Sequence, residues 1–166
     1  MAIVVEDGTG LAAANSYASI AEANAYFLDR ANAAWDAAED DARSAALIRA
    51  TTAIDGVYGS RWPGFRCMEL QGLDWPRYEA WDRDGYPLTG LPKKVKEATC
   101  EAALIELGSS GALSKKADIG LSELTVGSIT KKWAVASGAG ATAYPAIKQA
   151  LSRIVRGGSG IQLSRG

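Results

Sequence analysis

The spacing of its apolar residues is the feature that most constrains how this chain folds. Three segments within the first 108 residues carry an apolar side chain every three or four positions, which is the period of a helix that buries one face. Ser19 with Glu22, and Asp36 with Glu39, have the spacing of a capping box at the start of the first two segments. Pro92 suits the first position of the third segment, where its missing N–H costs nothing. The predicted buried stripes are Ile20, Ala23, Phe27 and Ala31 in the first helix, Leu47, Ala50, Ile54 and Val57 in the second, and Val95, Ala98, Ala102 and Ile105 in the third.

The stretch between the second and third helices, residues 60–90, differs from the helical segments in composition. It holds three of the five tryptophans and three of the five prolines. Proline breaks a long helix, whereas flexible linkers lack large aromatic side chains. We therefore predict an ordered, aromatic-rich loop, called the aromatic loop below.

Beyond residue 114 the spacing of apolar residues changes from that of a helix to that of a strand. Leu124, Val126 and Ile129 alternate with polar residues as a half-buried strand pair does, and Gly127-Ser128 suits a type II′ hairpin turn. Pro145 then opens a last helix. Its apolar positions are Ile147, Leu151, Ile154 and Val155, and its basic ones are Lys148, Arg153 and Arg156.

These elements predict a mainly α protein: a small helical bundle with an aromatic-rich loop, one β-hairpin and a C-terminal helix and tail. At 166 residues one domain is the default. Within it we expect a helical core over residues 1–113, a β-hairpin extension over 114–143, and the C-terminal helix and tail over 144–166.

The absence of histidine from all 166 residues removes most catalytic designs. Without it there is no histidine general base, no Ser-His-Asp triad and no imidazole metal ligand. Cys67 and Cys100 are too few for a four-thiolate zinc site. The start of the chain lacks a basic signal region, and no stretch approaches the ~18 apolar residues of a membrane span. We expect a protein made in a cytoplasm, with no metal, no cofactor and no membrane contact.

An enzyme would most plausibly rely on carboxylates in the aromatic loop, such as Asp74, Glu79, Asp82 and Asp84. Arginines of the same loop are natural ion-pair partners that would lower the pKa of these acids, and no two of them have a spacing that specifies a reaction. The turn Gly8-Thr9-Gly10 lacks the Gly-Lys-Ser/Thr of a phosphate loop. We expect no enzymatic activity.

Charge is divided unevenly along the chain, although its net value is −1. Residues 1–114 hold 10 Lys and Arg against 17 Asp and Glu, a net charge of −7. Residues 115–166 hold 8 against 2, a net charge of +6. An acidic body with a basic C-terminal part predicts contact with something acidic: nucleic acid, another protein or a neighbouring copy.

The aromatic loop admits two interpretations. Its side chains either pack on the helices or stack on the bases of single-stranded DNA, which requires a positive groove. Residues 59–90 carry four arginines and five acids, a net charge of −1, which predicts poor binding to a phosphate backbone. The candidate stacking residues are Trp62, Phe65, Trp75 and Trp81.

Several local patterns occur in an order that matches one family. They are Val5-Glu6-Asp7-Gly8-Thr9-Gly10, Ala14-Asn15-Ser16-Tyr17, Ala50-Thr51, Ile54-Asp55, Tyr58-Gly59-Ser60-Arg61-Trp62, Gln71-Gly72-Leu73-Asp74-Trp75-Pro76-Arg77 and the helix opened by Pro92. Together they resemble the head–tail connector, or neck adaptor, proteins of tailed bacteriophages, in the branch often labelled DnaT-like single-stranded-DNA-binding protein. The resemblance covers residues 1–108 well, and the later part only in outline.

The resemblance implies a structural virion protein in the neck, made in the host bacterial cytoplasm. Such subunits form a ring, typically a dodecamer, beneath the portal protein. The ring extends the channel through which double-stranded DNA passes without specific binding, and it docks the next neck or tail-terminator protein. The alternative is a single-stranded-DNA-binding replication accessory protein. Carried onto this chain, portal binding is expected at Ile147, Lys148, Leu151, Arg153, Ile154, Arg156, Ile161 and Leu163.

The hairpin suggests a contact between subunits of such a ring. An isolated two-stranded hairpin is marginal in water, so pairing with a neighbouring subunit would stabilise it. Opposite charges on one chain would also help a head-to-tail ring to close. The expected inter-subunit residues are Leu124, Val126, Ile129, Lys131, Lys132 and Trp133.

Overall fold

A computed structural model describes residues 2–114, 123–126, 129–132 and 144–156 of the chain. These residues form a mainly helical structure with two short antiparallel strand pairs, which confirms the predicted fold class. None of the described helices is both long and apolar enough to cross a lipid bilayer. The elements are α1 (Ile20–Leu28), α2 (Ala33–Asp36), α3 (Asp40–Tyr58), β1 (Phe65–Arg66), β2 (Arg77–Tyr78), α4 (Lys93–Gly108), β3 (Glu123–Val126), β4 (Ile129–Lys132) and α5 (Pro145–Leu151).

Helix α1 begins where its sequence predicts, but it ends at Leu28, before the last residue of the predicted stripe. The Ser19 side chain accepts the Glu22 N–H at 3.1 Å, and the Glu22 carboxylate accepts the Ser19 N–H at 2.8 Å, so the capping box is confirmed. The expected fourth member of the buried stripe, Ala31, is wrong. It lies beyond the helix with a φ of 48°, in the left-handed turn that leads to α2, and is exposed.

The predicted capping box of Asp36 and Glu39 is also wrong. Asp36 ends the four-residue helix α2, and Glu39 precedes α3 without a side-chain capping bond. The true cap in this region is Asn32, whose side chain accepts the Trp35 N–H at 3.0 Å. The extra turn of helix brings Trp35 into the core, where its indole N–H donates to the Asn24 side chain at 2.8 Å.

Helices α3 and α4 pack along each other and form the centre of the core. Each of them brings alanines to this contact, and such small side chains let two helix backbones approach closely. At the ends of the predicted stripes, Val57 is exposed on the last turn of α3, and Ile105 on the last turn of α4 is only partly buried. The predicted stripe residues that are buried here are Leu47, Ala50 and Ile54 of α3 and Val95, Ala98 and Ala102 of α4.

Helix α5 packs against α4, and its apolar residues complete the core. Two backbone hydrogen bonds then join the chain after α5 to the aromatic loop. The Arg83 N–H donates to the Arg153 carbonyl oxygen, and the Arg156 N–H donates to the Arg61 carbonyl oxygen, both at 2.9 Å. The last described residues of the chain therefore lie beside the aromatic loop.

Candidate functional site

The aromatic loop divides its aromatic side chains into a buried and an exposed group. Trp62 and Trp75 are 3% and 0% exposed, and their rings meet edge to face at 5.8 Å. Phe65 and Trp81 are 58% and 56% exposed. The predicted stacking role is therefore wrong for Trp62 and Trp75, because a ring enclosed by the core has no face left for a base. Phe65 and Trp81 remain available.

A buried hydrogen-bond network holds the loop to the helices. The Tyr17 hydroxyl donates to the Asp55 carboxylate at 2.6 Å and accepts a hydrogen bond from the backbone N–H of Trp75 at 3.1 Å. The Asp74 N–H donates to the other oxygen of Asp55, also at 3.1 Å. Burial raises the pKa of Asp55 to about 6, and burial next to that carboxylate raises the pKa of Tyr17 as well. The network fixes the middle of the loop on α3.

Arg77 fixes the two short strands of the loop. Its guanidinium donates to the carbonyl oxygens of Pro63 at 2.7 Å, Gly64 at 2.8 Å and Asp74 at 3.1 Å. Gly64 has a φ of 66°, and a Cβ there would lie 2.2 Å from the Tyr78 carbonyl oxygen, so glycine is required. Arg77 is thus committed to the protein backbone, and a nucleic-acid phosphate would have to compete for it.

An open cleft lies beside the exposed aromatic side chains. Phe65 on β1 and Tyr78 on β2 are cross-strand neighbours with ring centroids 5.6 Å apart. Tyr78 and Trp81 line the cleft, which has a volume of about 310 Å³. Residues 87–90 also line it, and the Leu88 N–H donates a hydrogen bond of 2.8 Å to the Ala80 carbonyl oxygen. We call it the loop cleft.

The charge around the loop cleft is not that of a nucleic-acid groove. Only two charged residues, Arg77 and Glu79, line it. Arg77 is occupied as described, and within the described residues Glu79 makes no salt bridge. Nearby, Asp84 pairs with Arg153 at 3.0 Å. The cleft therefore offers apolar walls and one carboxylate.

The predicted portal-binding residues separate by exposure. The apolar members are buried against the protein's own helices: Ile147, Leu151 and Ile154. The prediction that this apolar face binds the portal is therefore wrong, because the face belongs to the core. An amphipathic helix packs that face wherever a matching surface exists, and here α4 supplies it. The exposed members are Lys148, Arg153 and Arg156, while Ile161 and Leu163 lie outside the described residues.

The predicted hairpin is present. Strands β3 and β4 are antiparallel, with Val126 opposite Ile129 and Glu123 opposite Lys132. The expected inter-subunit residues Leu124, Val126, Ile129, Lys131 and Lys132 lie on these strands, and Trp133 lies outside the described residues. Their contact with a neighbouring subunit stays a prediction.

The glycine turn near the N-terminus encloses a carboxylate of its own. Buried Glu6 accepts the N–H groups of Gly8, Gly10 and Leu11, each at 2.9 Å. These donors resemble a small anion site that the protein has already filled. Sequence reasoning missed both this arrangement and the Tyr17–Asp55 network, although both lie within the patterns Val5-Glu6-Asp7-Gly8-Thr9-Gly10, Ala14-Asn15-Ser16-Tyr17 and Ile54-Asp55.

Comparison with protein families decides the affiliation. The family model described as "Putative DnaT-like ssDNA binding protein" matches residues 1–166. The chain belongs to this family. Searches of curated proteins and of solved structures found no match. The DnaT-like match includes the hairpin and the C-terminal segment, which the sequence patterns covered only in outline. Of the candidate stacking residues, Phe65 and Trp81 are those that this DnaT-like protein exposes in the part of the chain that the structure describes.

Proposed function

We propose that this DnaT-like family member is a non-catalytic structural protein that works through protein–protein contacts, as a head–tail connector of a tailed bacteriophage. The observation that carries the proposal is the pairing of large exposed aromatic side chains with a loop that has no surplus of positive charge. Phe65, Tyr78 and Trp81 are each more than half exposed on a loop that buried bonds hold in place. Rigid exposed apolar surface is typical of protein interfaces.

The division of charge supports the same proposal. Residues 1–114 carry −7 and residues 115–166 carry +6. Subunits of a head-to-tail ring present two different surfaces to their neighbours, and opposite charges on those surfaces favour closure. In this proposal the ring, a dodecamer, lies beneath the portal protein and binds the next neck protein. Its channel lets double-stranded DNA pass without holding it.

Single-stranded DNA binding is the second candidate, and the family description favours it. Stacking of a base on an exposed aromatic ring contributes about 1–3 kcal/mol, and Phe65, Tyr78 and Trp81 could each provide a ring. Neutralising the DNA backbone supplies most of the non-specific affinity. Residues 59–90 hold four arginines and five acids, so they have no net positive charge with which to neutralise the DNA backbone. One of the arginines, Arg77, is already bound to backbone carbonyls.

Titration of a labelled oligonucleotide separates the two functions. We expect weak binding at low salt and none at physiological salt. The decisive variant is Trp81→Ala, with Leu28→Ala as its control, since Leu28 is also exposed but lies on α1. Micromolar, salt-dependent binding that Trp81→Ala abolishes and Leu28→Ala preserves would replace the connector with the second candidate.

Electron microscopy tests the connector directly. Phage particles labelled through this chain are expected to carry the label at the neck, between the capsid vertex and the tail. A label that is absent from particles and found with replicating DNA in infected cells would refute the structural role.

A further inference from the structure

The loop cleft combines an apolar lining with one acidic side chain. Tyr78, Trp81 and Leu88 line it, and an antiparallel bridge joins Trp81 to Pro87. Glu79 places a carboxylate at the same cleft. An occupant that suits these groups has apolar side chains for the walls and one cation for the carboxylate.

The backbone beneath Glu79 is itself constrained. Glu79 has a φ of 51°, in the left-handed region that a glutamate adopts only at a cost. Gly64 packs directly below, since a Cβ there would meet the Glu79 carbonyl carbon and the Ala80 nitrogen at 2.8 Å. This packing fixes the turn at Glu79, so the carboxylate is carried by a rigid part of the cleft.

The C-terminal segment of the same sequence has the matching pattern. Ile161, Leu163 and Arg165 alternate with small or polar residues. In an extended chain, residues two apart face the same side, so these three side chains would form one face with two apolar groups and one guanidinium. The five residues from Arg156 to Ile161 span up to about 17 Å when extended, which gives this face reach beyond the described core.

We propose that residues 161–165 of one copy bind in the loop cleft of a neighbouring copy, with Ile161 and Leu163 on the aromatic walls and Arg165 paired with Glu79. The inference rests on the proposed function, because a head-to-tail assembly needs a donor surface and a different acceptor surface on every copy. It assigns both surfaces: the C-terminal segment is the donor and the loop cleft is the acceptor.

The test is sedimentation velocity of the full-length protein over a concentration series, with charge variants of both surfaces. The wild type is expected to show association that grows with concentration. Arg165→Glu and Glu79→Lys each replace an attraction by a repulsion and should weaken the association about tenfold or more. The control, Glu69→Lys, changes an exposed acid of the same loop outside the cleft and should have no effect.

Two combinations make the test independent of folding. The double variant Glu79→Lys/Arg165→Glu restores opposite charges and should regain wild-type association. In a mixture of the two single variants, each C-terminal segment meets an oppositely charged cleft on the other variant. The mixture should therefore recover the association that each single variant has lost on its own.

Other results would overturn the inference. A wild type that stays monomeric at its highest soluble concentration, single variants that associate normally, or a double variant that is not rescued each exclude docking between copies. These failures leave the connector role intact if labelled particles still carry the protein at the neck. Conversely, head-to-tail association with no label at the neck would refute the connector role and leave the docking between copies intact.

Discussion

Removing one hydroxyl from the core should reveal how strongly the aromatic loop is held. In Tyr17→Phe the ring stays, but the Asp55 carboxylate loses a donor at 2.6 Å and the backbone N–H of Trp75 loses an acceptor at 3.1 Å. Tyr17 and Trp75 are both fully buried, so water does not replace the lost partner. The Trp75 backbone N–H left without a partner costs about 1–3 kcal/mol, and the Asp55 carboxylate, which keeps the Asp74 N–H, loses a hydrogen bond worth about 1.5–3 kcal/mol. The free energy of unfolding should therefore fall by about 2.5–6 kcal/mol.

Urea unfolding followed by tryptophan fluorescence measures this loss. The control is Tyr86→Phe, which removes the same hydroxyl from a side chain that is 69% exposed and should change the stability by less than about 0.5 kcal/mol. Equal unfolding midpoints for the two variants would refute the reasoning, since the buried network would then contribute nothing to stability.

Three further changes test the core, the titrating acid and the N-terminal turn. Leu47→Ala should lower the free energy of unfolding by about 2–5 kcal/mol because it leaves a cavity in the core, whereas exposed Leu28→Ala should change it little, as read from urea midpoints. The pKa of Asp55 is near 3.8 in an unfolded chain and about 6 in the folded one, so the folded state favours the neutral acid. Its contribution is present below about pH 4 and is lost as the pH rises through about 6, and Asp55→Asn should flatten that part of the stability profile. Glu6→Ala leaves three N–H groups without their acceptor and should expose the N-terminal arm to proteolysis, while Asp7→Ala on the surface should not.

Each of these changes has an opposite result that would count against it. Similar midpoints for the two leucine variants would mean that Leu47 is not a central core residue. A pH profile of Asp55→Asn that parallels the wild type would assign the pH dependence to other groups. Equal cleavage of the Glu6 and Asp7 variants would show that the turn stands without its carboxylate.

Local patterns predicted those parts of the fold that depend on neighbours in sequence. The Ser19–Glu22 capping box and the stripes on α3 and α4 rest on spacings within one helix. The capping box occurs, and so does each stripe except at its last residue, Val57 or Ile105. The Asp36–Glu39 pair failed because its spacing alone does not reveal that Trp35 must reach the core. The short helix α2 places Trp35 in the core, and capping patterns alone do not predict such a helix.

The candidate site could be predicted only in part. Trp62 and Trp81 look alike in sequence, and what separates them is a partner far along the chain: Trp62 meets Trp75, which Tyr17 anchors. Burial of Ile147 and Ile154 depends likewise on a matching surface on the other helices. Long-range contacts of this kind decide which side chains remain free to meet a partner.

The hydrogen bonds between the end of α5 and the aromatic loop have a mechanical consequence. Traction on the C-terminal segment passes first through Arg156 to Arg61, the residue before buried Trp62, and through Arg153 to Arg83 and Asp84. Because Arg156 lies nearer the pulled end than Arg153, the links are loaded one after the other, and both must break before α5 can separate from the core. A partner that grips the C-terminal segment therefore pulls on the aromatic loop before it pulls on α5.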